Sequence, residues 1–206
     1  MSKDINAIAK KEFESYSPRE RILAAALKLF VEQGYFNTNV PDLSKESKCS
    51  VGSIYHCFKN KEEVASCLYT EGILSFRKAL ENSIKDSDNI ETIIKKLVKS
   101  LLSFAEINKQ VSKYLWLCRH NEFLTGLVNN PTSVGYDALG RKLAKQIKTA
   151  IREDKIIDAN ATIIWTIIFG IPLSYIRDWL DGYNKETPNN VSEALAECAW
   201  QALKKD

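Results

Sequence analysis

Apolar residues recur every three or four positions along most of this chain, which is the spacing of amphipathic helices. The first such face lies in residues 22–30, directly after Ser17-Pro18. That pair places a capping hydroxyl before the proline that is favoured at the first helical position. No segment alternates apolar and polar residues with the period of two that marks a strand. The pattern therefore predicts an all-α protein of about nine helices joined by short links.

Capping residues and glycines set the expected limits of these helices. Gly34 closes the first helix, Asn39 caps the second, and Ser50 opens the third. The expected helices cover, in chain order, about 18–33, 39–48, 50–58, 59–85, 90–104, 111–123, 134–153, 158–181 and 188–203. Asp158 is the predicted cap of the eighth helix, and Pro172 is expected to kink it.

Composition supports the helical prediction and excludes several classes of protein. Gly (8) and Pro (5) are too scarce among 206 residues for a turn-rich sandwich or barrel. A net charge of +3 excludes a uniformly basic coat but leaves room for a local basic surface. Five cysteines without a Cys-x-x-Cys pair argue against a disulfide scaffold or a zinc site. Cys49 and Cys57 are interpreted as small packing residues rather than a thiol switch.

The expected compartment is the cytoplasm, with reduced thiols and no membrane association. The first residues lack the apolar segment of a secretory signal. The longest uncharged run, between Asp158 and Arg177, contains several polar residues and is interpreted as a helix buried in protein. Two histidines far apart, without carboxylates at metal-ligand spacing, predict no metal site. Without a phosphate loop or a nucleophile motif, neither a cofactor nor an enzymatic activity is expected.

Three short helices joined by tight turns suggest a helix-turn-helix, whose second helix enters the major groove of DNA. Small or hydrogen-bonding residues are needed at the start of that helix, and several side chains must reach the flanking phosphates. Asn39 in addition caps a helix whose N-terminus can face a phosphate. The candidate DNA-binding residues are Asn39, Ser50, Val51, Gly52, Ser53, Tyr55, His56, Lys59 and Lys61.

Residues 19–30, 32–36, 39–44 and 50–63 closely resemble the DNA-binding domain of the TetR family. The residues that fall in register together are Gly34, Asp42, Leu43, Gly52, Tyr55, Phe58, Lys61 and Glu62. The resemblance implies a homodimeric, usually repressing regulator whose C-terminal helical domain binds a small molecule. By position it assigns DNA contacts to Asn39, Ser50, Gly52, Tyr55, His56 and Lys61.

Three positions depart from the family's pattern. Lys48 stands where the family usually has Gly, which predicts a different turn or a strained backbone with positive φ. Pro41 replaces a commonly basic residue and removes one possible phosphate contact, and Ser47 replaces a small apolar residue. We expect these changes to alter the specificity and strength of DNA binding rather than the class of protein.

The predicted domains are a flexible arm (1–17), a helix-turn-helix domain (18–62) and a helical effector-binding and dimerisation domain (63–206). The predicted function is a repressor that a small apolar effector releases from a near-palindromic double-stranded DNA operator. The alternative is a helical partner-binding or lipid-binding protein that does not read DNA.

Two sites are expected in the third domain. An aromatic effector pocket is predicted from Phe104, Trp116, His120, Phe123, Trp165 and Phe169, and an ordinary aromatic core is the alternative. Homodimerisation is predicted through about 159–181 and 188–204. The residues that would suit that interface are Ile164, Ile168, Ile171, Ala194 and Ala199, although packing within the chain explains them equally well.

Overall fold

The computed structural model describes residues 16–118 and 138–205. Most of the predicted arm, together with His120 and Phe123 of the predicted pocket, lies outside these residues. The described chain forms nine helices, and its one extended pairing is an isolated bridge between Ile156 and Lys204. The all-α prediction is therefore confirmed.

The helices are numbered here in chain order. They are α1 (Pro18–Glu32), α2 (Val40–Ser47), α3 (Val51–Cys57), α4 (Lys61–Ser83), α5 (Ile90–Ile107), α6 (Lys109–Leu117), α7 (Ala138–Arg152), α8 (Ala161–Leu180) and α9 (Ser192–Leu203). The described chain divides into two compact units. The first comprises residues 16–75 and 110–118, and the second comprises residues 76–109 and 138–205. The domain boundaries expected from the sequence stay a prediction.

The first unit is built on α1, whose start and end follow local rules. The Ser17 side chain accepts a hydrogen bond from the Glu20 amide, and the Glu20 carboxylate accepts one from the Ser17 amide, which completes a capping box. Gly34, with φ of 87°, follows the helix in the left-handed conformation that glycine adopts without strain. Ile22, Leu23 and Phe30 are fully buried, so α1 supplies the centre of this unit's core.

The second unit is held together mainly by α5 packing against α9. Leu97 and Leu101 of α5 and Ala199 and Leu203 of α9 are essentially without solvent exposure. Ile164 and Ile168 of α8 are also completely buried. Of the five residues suggested for a dimer interface, Ile164, Ile168 and Ala199 thus belong to the core of their own chain.

The start of α8 differs from the prediction. Asn160, and not Asp158, caps the helix, because its side-chain oxygen accepts a hydrogen bond of 3.0 Å from the Ile163 amide. The preceding segment is held by pairing with the end of the chain: the Ile157 amide donates to the Leu203 carbonyl over 2.8 Å. The helix starts at Ala161, and its cap lies two residues later than predicted.

The middle of α8 has the irregularity expected from Pro172. Residues Thr166–Gly170 form a π-helical turn directly before the α-helical segment Ile171–Leu180. Proline lacks an amide hydrogen for the regular ladder, and π-turns are one way in which helices accommodate such an interruption. The interruption at Pro172 thus coincides with a local π-turn, and the predicted kink stays a prediction.

Within the described residues, α8 is also the one helix long and apolar enough to cross a membrane by length and composition. A third of its most apolar window is buried inside the protein. Core helices of soluble proteins meet the same criteria, so a single helix of this kind is weak evidence for a membrane span.

Candidate nucleic-acid interface

The α3 helix turns one face inward and the other toward solvent. Ile54 and Phe58 are 2% exposed and pack into the core of the first unit, whereas Val51 is 43% and Tyr55 54% exposed. The outer face of α3 thus carries an apolar and an aromatic side chain four residues apart, both accessible to a binding partner. Gly52 and His56 share this exposed surface of α3.

The N-terminus of α3 is closed by Ser50. Its hydroxyl oxygen accepts a hydrogen bond of 3.1 Å from the Ser53 amide. Added at Gly52, a Cβ would meet only the Ser50 hydroxyl, at 3.9 Å. Among the described residues, no neighbour requires glycine at this position, and the first turn of α3 presents an uncovered stretch of backbone.

The turn between α2 and α3 is rigid and contains a strained residue. Lys48 ends α2 with φ of 54° and ψ of 32°, the left-handed conformation expected from its replacement of glycine. Ser47 is fully buried, and its hydroxyl accepts a hydrogen bond from the Cys49 amide. The Ser44 hydroxyl donates to the Cys49 carbonyl over 2.7 Å. The bond from the Cys49 amide explains why a hydroxyl is tolerated at Ser47, because the buried hydroxyl satisfies a backbone donor inside the turn.

The N-terminus of α2 carries a second capping box. The Asn39 side-chain oxygen accepts from the Asp42 amide, and the Asp42 carboxylate accepts from the Asn39 amide, both over 2.9 Å. Pro41 has no amide hydrogen to offer, and the Asp42 carboxylate lowers the positive potential at this helix end. A phosphate at this site would therefore be recognised through the exposed side-chain amide of Asn39 rather than through free backbone amides.

The Lys61 ammonium at the start of α4 is bound within the protein. It donates to the Tyr35 carbonyl over 2.8 Å and to the Thr38 carbonyl over 2.7 Å. The same nitrogen lies 4.1 Å from the centroid of the Tyr35 ring. Burial of the charged group lowers the pKa of Lys61 below its usual range.

Lys59 occupies a different environment two residues earlier. Its side chain is exposed, and its backbone amide donates to the Glu63 carboxylate. The Asn60 side chain accepts from the Glu63 amide over 2.8 Å, which caps α4. The backbone of Lys59 is consequently fixed by its hydrogen bond to Glu63, while its side chain is exposed to solvent.

Arg19 joins the first unit's helices at a position that was not singled out from the sequence. Its guanidinium forms a 2.9 Å ion pair with Glu71 of α4 and lies 5.5 Å from the centre of the Phe58 ring. Hydrogen bonding to the Glu71 carboxylate and the charges around it raise the pKa of Arg19 although burial acts in the opposite direction. Glu71 lies 52 positions away along the chain, so no local pattern could identify this contact.

The structure brings all nine candidate DNA-binding residues into the first unit. Seven are exposed: Asn39, Ser50, Val51, Gly52, Tyr55, His56 and Lys59. Ser53 and Lys61 are half-buried. Tyr35 and Thr38, which bind Lys61, had no signal in the sequence because 26 and 23 positions separate them from it.

The described candidate effector residues lie in both units of the chain. Phe104 is buried against Phe76, with ring centroids 5.3 Å apart, and Trp165 stacks on Phe169 with centroids 5.8 Å apart, all in the second unit. Trp116 is a half-buried residue of the first unit. The effector assignment of these residues stays a prediction.

The second unit also contains a cleft of about 350 Å³ between α5 and α7. Ile90 and Ile93 line it on one side, and Lys142 and Lys145 line it on the other. Among the described residues, none of the candidate effector residues lines it. In the part of the chain that the structure describes, no three His, Cys, Asp or Glu side chains are grouped as metal ligands.

Comparison with known proteins places the first unit in context. The family model described as "Bacterial regulatory proteins, tetR family" matches residues 22–66. The chain is 44% identical over 46 residues to the HTH-type transcriptional regulator HbdR of Aromatoleum sp. (strain CIB). The aligned segment covers 22% of this chain and 20% of that protein. It is 20% identical over 184 residues to the HTH-type nicotine-responsive transcriptional repressor HdnoR of Paenarthrobacter nicotinovorans, which covers 85% of this chain and 92% of that protein.

Among solved structures, the fatty acid degradation regulator FadR of Bacillus halodurans superposes with a TM-score of 0.76. The superposition covers 96% of this chain and all of that one, at 17% identity. The superposition shows a common fold, and at this low sequence identity it shows the fold alone. The chain spans about a fifth of HbdR, so the stronger sequence match supports the DNA-binding segment rather than the whole regulator. The matching family model and the superposed structure are both described as transcription regulators, not as enzymes.

Proposed function

The chain belongs to the TetR family of bacterial regulatory proteins, which bind DNA, and from this premise we propose that it is a ligand-responsive repressor acting on a near-palindromic operator. The observation that carries the proposal is the exposed face of α3. Val51 and Tyr55 lie in solvent there although their side chains are apolar or aromatic. The proposal assigns this face to the major groove of the operator.

Within this proposal, the contacts divide by chemistry. Gly52 allows the backbone of α3 to approach the bases, and the hydroxyls of Ser50 and Ser53 lie at the end of the helix that enters the groove first. Tyr55, His56 and Lys59 supply donors for phosphates on either side of the groove. Asn39 supplies a further phosphate contact from the start of α2. The expected arm, 1–17, and the boundaries 18–62 and 63–206 belong to the same proposal.

Homodimerisation gives the proposed operator its two-fold symmetry. Two recognition helices must lie about one turn of DNA apart, roughly 34–36 Å, to occupy successive major grooves. Some residues of the predicted interface are not buried in the chain's own core and are accessible to a partner. They include Ile163 and Ile171 on α8, which are 48% and 43% exposed. Ala194 and Cys198 on α9 are exposed as well. We assign the dimer contact to these two helices.

The proposed effector is a small hydrophobic or amphipathic molecule that binds in the second unit. HdnoR is named as a nicotine-responsive repressor, and FadR is named as a regulator of fatty acid degradation. Aromatic side chains such as Trp165 and Phe169 offer surfaces for a ligand of this class. Since a ligand shifts a conformational equilibrium only by its differential affinity, the effector must bind the DNA-free arrangement more tightly. We place the protein's activity in the cytoplasm, where its operator lies.

The test is fluorescence anisotropy of ligand-stripped protein on DNA from upstream of its own gene and on a library of genomic fragments, with unrelated competitor DNA. We expect a specific fragment to bind in the presence of competitor and to lose affinity steeply as salt rises. Tyr55→Ala should weaken this binding at least tenfold. Tyr183→Ala is the matched control, because Tyr183 is 82% exposed in the second unit and should bind DNA like the wild type.

Two results would overturn the proposal. One is the absence of competitor-resistant binding to every fragment, which would favour a helical protein that binds a partner or a lipid. The other is an equal effect of Tyr55→Ala and Tyr183→Ala, which would mean that α3 does not read DNA.

A further inference from the structure

We propose that Lys61 is a positioning residue and does not itself contact a phosphate. Its ammonium holds the turn between α1 and α2. That turn holds the start of α2 in the position needed for DNA binding. The inference rests on the proposed DNA-binding function. It departs from the assignment that the sequence resemblance implies for this lysine.

The first argument is the number of partners that the ammonium already has. Lysine has three N–H donors and no acceptor. Two carbonyl oxygens, those of Tyr35 and Thr38, lie within 2.8 Å of the Lys61 nitrogen. The Tyr35 ring, 4.1 Å away, faces the same charge. To bind this ammonium, a phosphate would have to displace these three partners or compete with them for the same positive charge.

The second argument is what these carbonyls belong to. The peptide group between Thr38 and Asn39 is held at both ends: its oxygen accepts from Lys61, and its N–H donates to the Asp42 carboxylate over 2.9 Å. Thr38 is 1% exposed, and its hydroxyl donates to the Gly34 carbonyl over 2.8 Å. Asn39, the candidate phosphate-binding residue of α2, follows this fixed peptide directly. Its position therefore depends on Lys61.

The third argument is the contrast with Lys59. Lys59 lies two residues before α4 and Lys61 begins it, but the Lys59 side chain is exposed and Lys61 is half-buried under the turn. Solvation keeps the Lys59 ammonium available to a phosphate, whereas burial has already lowered the pKa of Lys61. The phosphate contact at this end of the interface therefore belongs to Lys59.

The experiment compares Lys61→Met with Lys59→Met, since methionine retains an unbranched apolar stem and removes one charge in each case. Amide hydrogen exchange is measured first on the DNA-free proteins. We expect the Thr38 and Asn39 amides to exchange at least tenfold faster in Lys61→Met and to be unchanged in Lys59→Met. Urea unfolding establishes that both variants are folded under the conditions used.

The salt dependence of operator binding is measured next. Each lysine–phosphate contact contributes about 0.9 to the slope of log K against log salt concentration. Lys59→Met should lower this slope by about 0.9 per protomer. Lys61→Met should weaken binding about tenfold at every salt concentration and leave the slope unchanged. A residue that stabilised the fold and nothing else would leave the affinity of the folded protein unchanged.

Three outcomes would contradict the inference. These are a slope lowered by about 0.9 per protomer in Lys61→Met, wild-type exchange at Thr38 and Asn39 in that variant, or wild-type affinity of the folded variant. If the wild type itself binds no operator, the proposed function fails, whereas the exchange experiment still decides whether Lys61 holds the turn.

Discussion

The hydroxyl of Tyr114 donates a hydrogen bond of 2.9 Å to the backbone carbonyl of Ala65, and so joins α6 to α4 within the first unit. Tyr114 is 1% exposed and its ring lies 6.1 Å from that of Phe30. The tyrosine thus connects two helices to the core helix of the helix-turn-helix. Close packing continues beside it, where a Cβ added at Gly72 would lie 3.1 Å from the Leu115 side chain.

Tyr114→Phe should lower the free energy of unfolding by about 0.5–1.5 kcal/mol, because it removes this buried hydrogen bond while retaining the aromatic ring. Urea unfolding followed by circular dichroism measures the change. Tyr55→Phe is the matched control, since Tyr55 is 54% exposed and its hydroxyl should not affect stability. Equal stabilities of Tyr114→Phe and the wild type would mean that the bond contributes nothing net.

Alkaline pH should destabilise the protein partly through the same phenol. Burial raises the pKa of Tyr114 in the folded state above its ordinary value near 10. Above about pH 10 the unfolded chain releases the phenolic proton while the folded chain retains it, so stability falls as pH rises, by at most about 1.4 kcal/mol per unit from this group. Unfolding measured between pH 8 and 11 should show a shallower loss for Tyr114→Phe. Parallel profiles for the two proteins would contradict the assignment.

Lys48→Gly should raise the free energy of unfolding by about 0.5–1 kcal/mol. Lys48 has φ of 54°, a conformation costly for residues with a Cβ and accessible to glycine, although glycine loses more backbone entropy on folding. Lys45→Gly provides the control with the same chemical change, because Lys45 is exposed inside α2 and glycine there should cost about 1 kcal/mol. Opposite signs for the two variants are expected, and a loss of stability in both would exclude strain at Lys48.

Gly52→Ala should separate stability from DNA binding. The added methyl group meets no close neighbour and replaces glycine inside a helix, so the free energy of unfolding should rise by as much as about 1 kcal/mol. Operator affinity should fall, because the methyl group prevents close approach of α3 to the bases. Anisotropy and urea unfolding of the same preparation measure both effects. Wild-type affinity in this variant would remove Gly52 from the proposed interface.

Local features were predictable from the sequence because the interactions that create them span three or four residues. Ser17 with Glu20, and Asn39 with Asp42, form capping boxes that depend on spacing within one helical turn. The positive φ at Lys48 was likewise expected, since a turn that usually takes glycine imposes its backbone geometry on the residue that replaces it.

Features set by distant pairing could not be read in the same way. Asp158 and Asn160 are equally good caps in isolation; Asn160 caps the helix, and Ile157 just before them pairs with Leu203, 46 positions away. The partners of Lys61 are similarly remote in sequence. The position of Lys61 in the motif predicted that it lies near the DNA-binding surface. Its contacts depend on how the turn between α1 and α2 packs against the start of α4.

Isoleucines on α8 present the same difficulty for assembly. Ile163 and Ile164 are adjacent, and both are apolar, yet one is 48% exposed and the other is fully buried. When apolar residues surround a helix, periodicity cannot tell which side is covered by the chain itself and which side is left for a partner. The structure separates these sides, and this separation makes the proposed dimer contact testable.

The double variant Ile163→Glu with Ile171→Glu should convert the proposed dimer into a folded monomer, because two carboxylates per protomer would have to be buried in an apolar contact. Sedimentation equilibrium measures the mass, and circular dichroism verifies the helical fold. Ile107→Glu is the control, because Ile107 is 69% exposed on α5 of the same unit, outside the proposed interface. The double variant should also lose operator affinity, since a monomer engages one half-site. A dimer that withstands both substitutions would place the interface elsewhere on the chain.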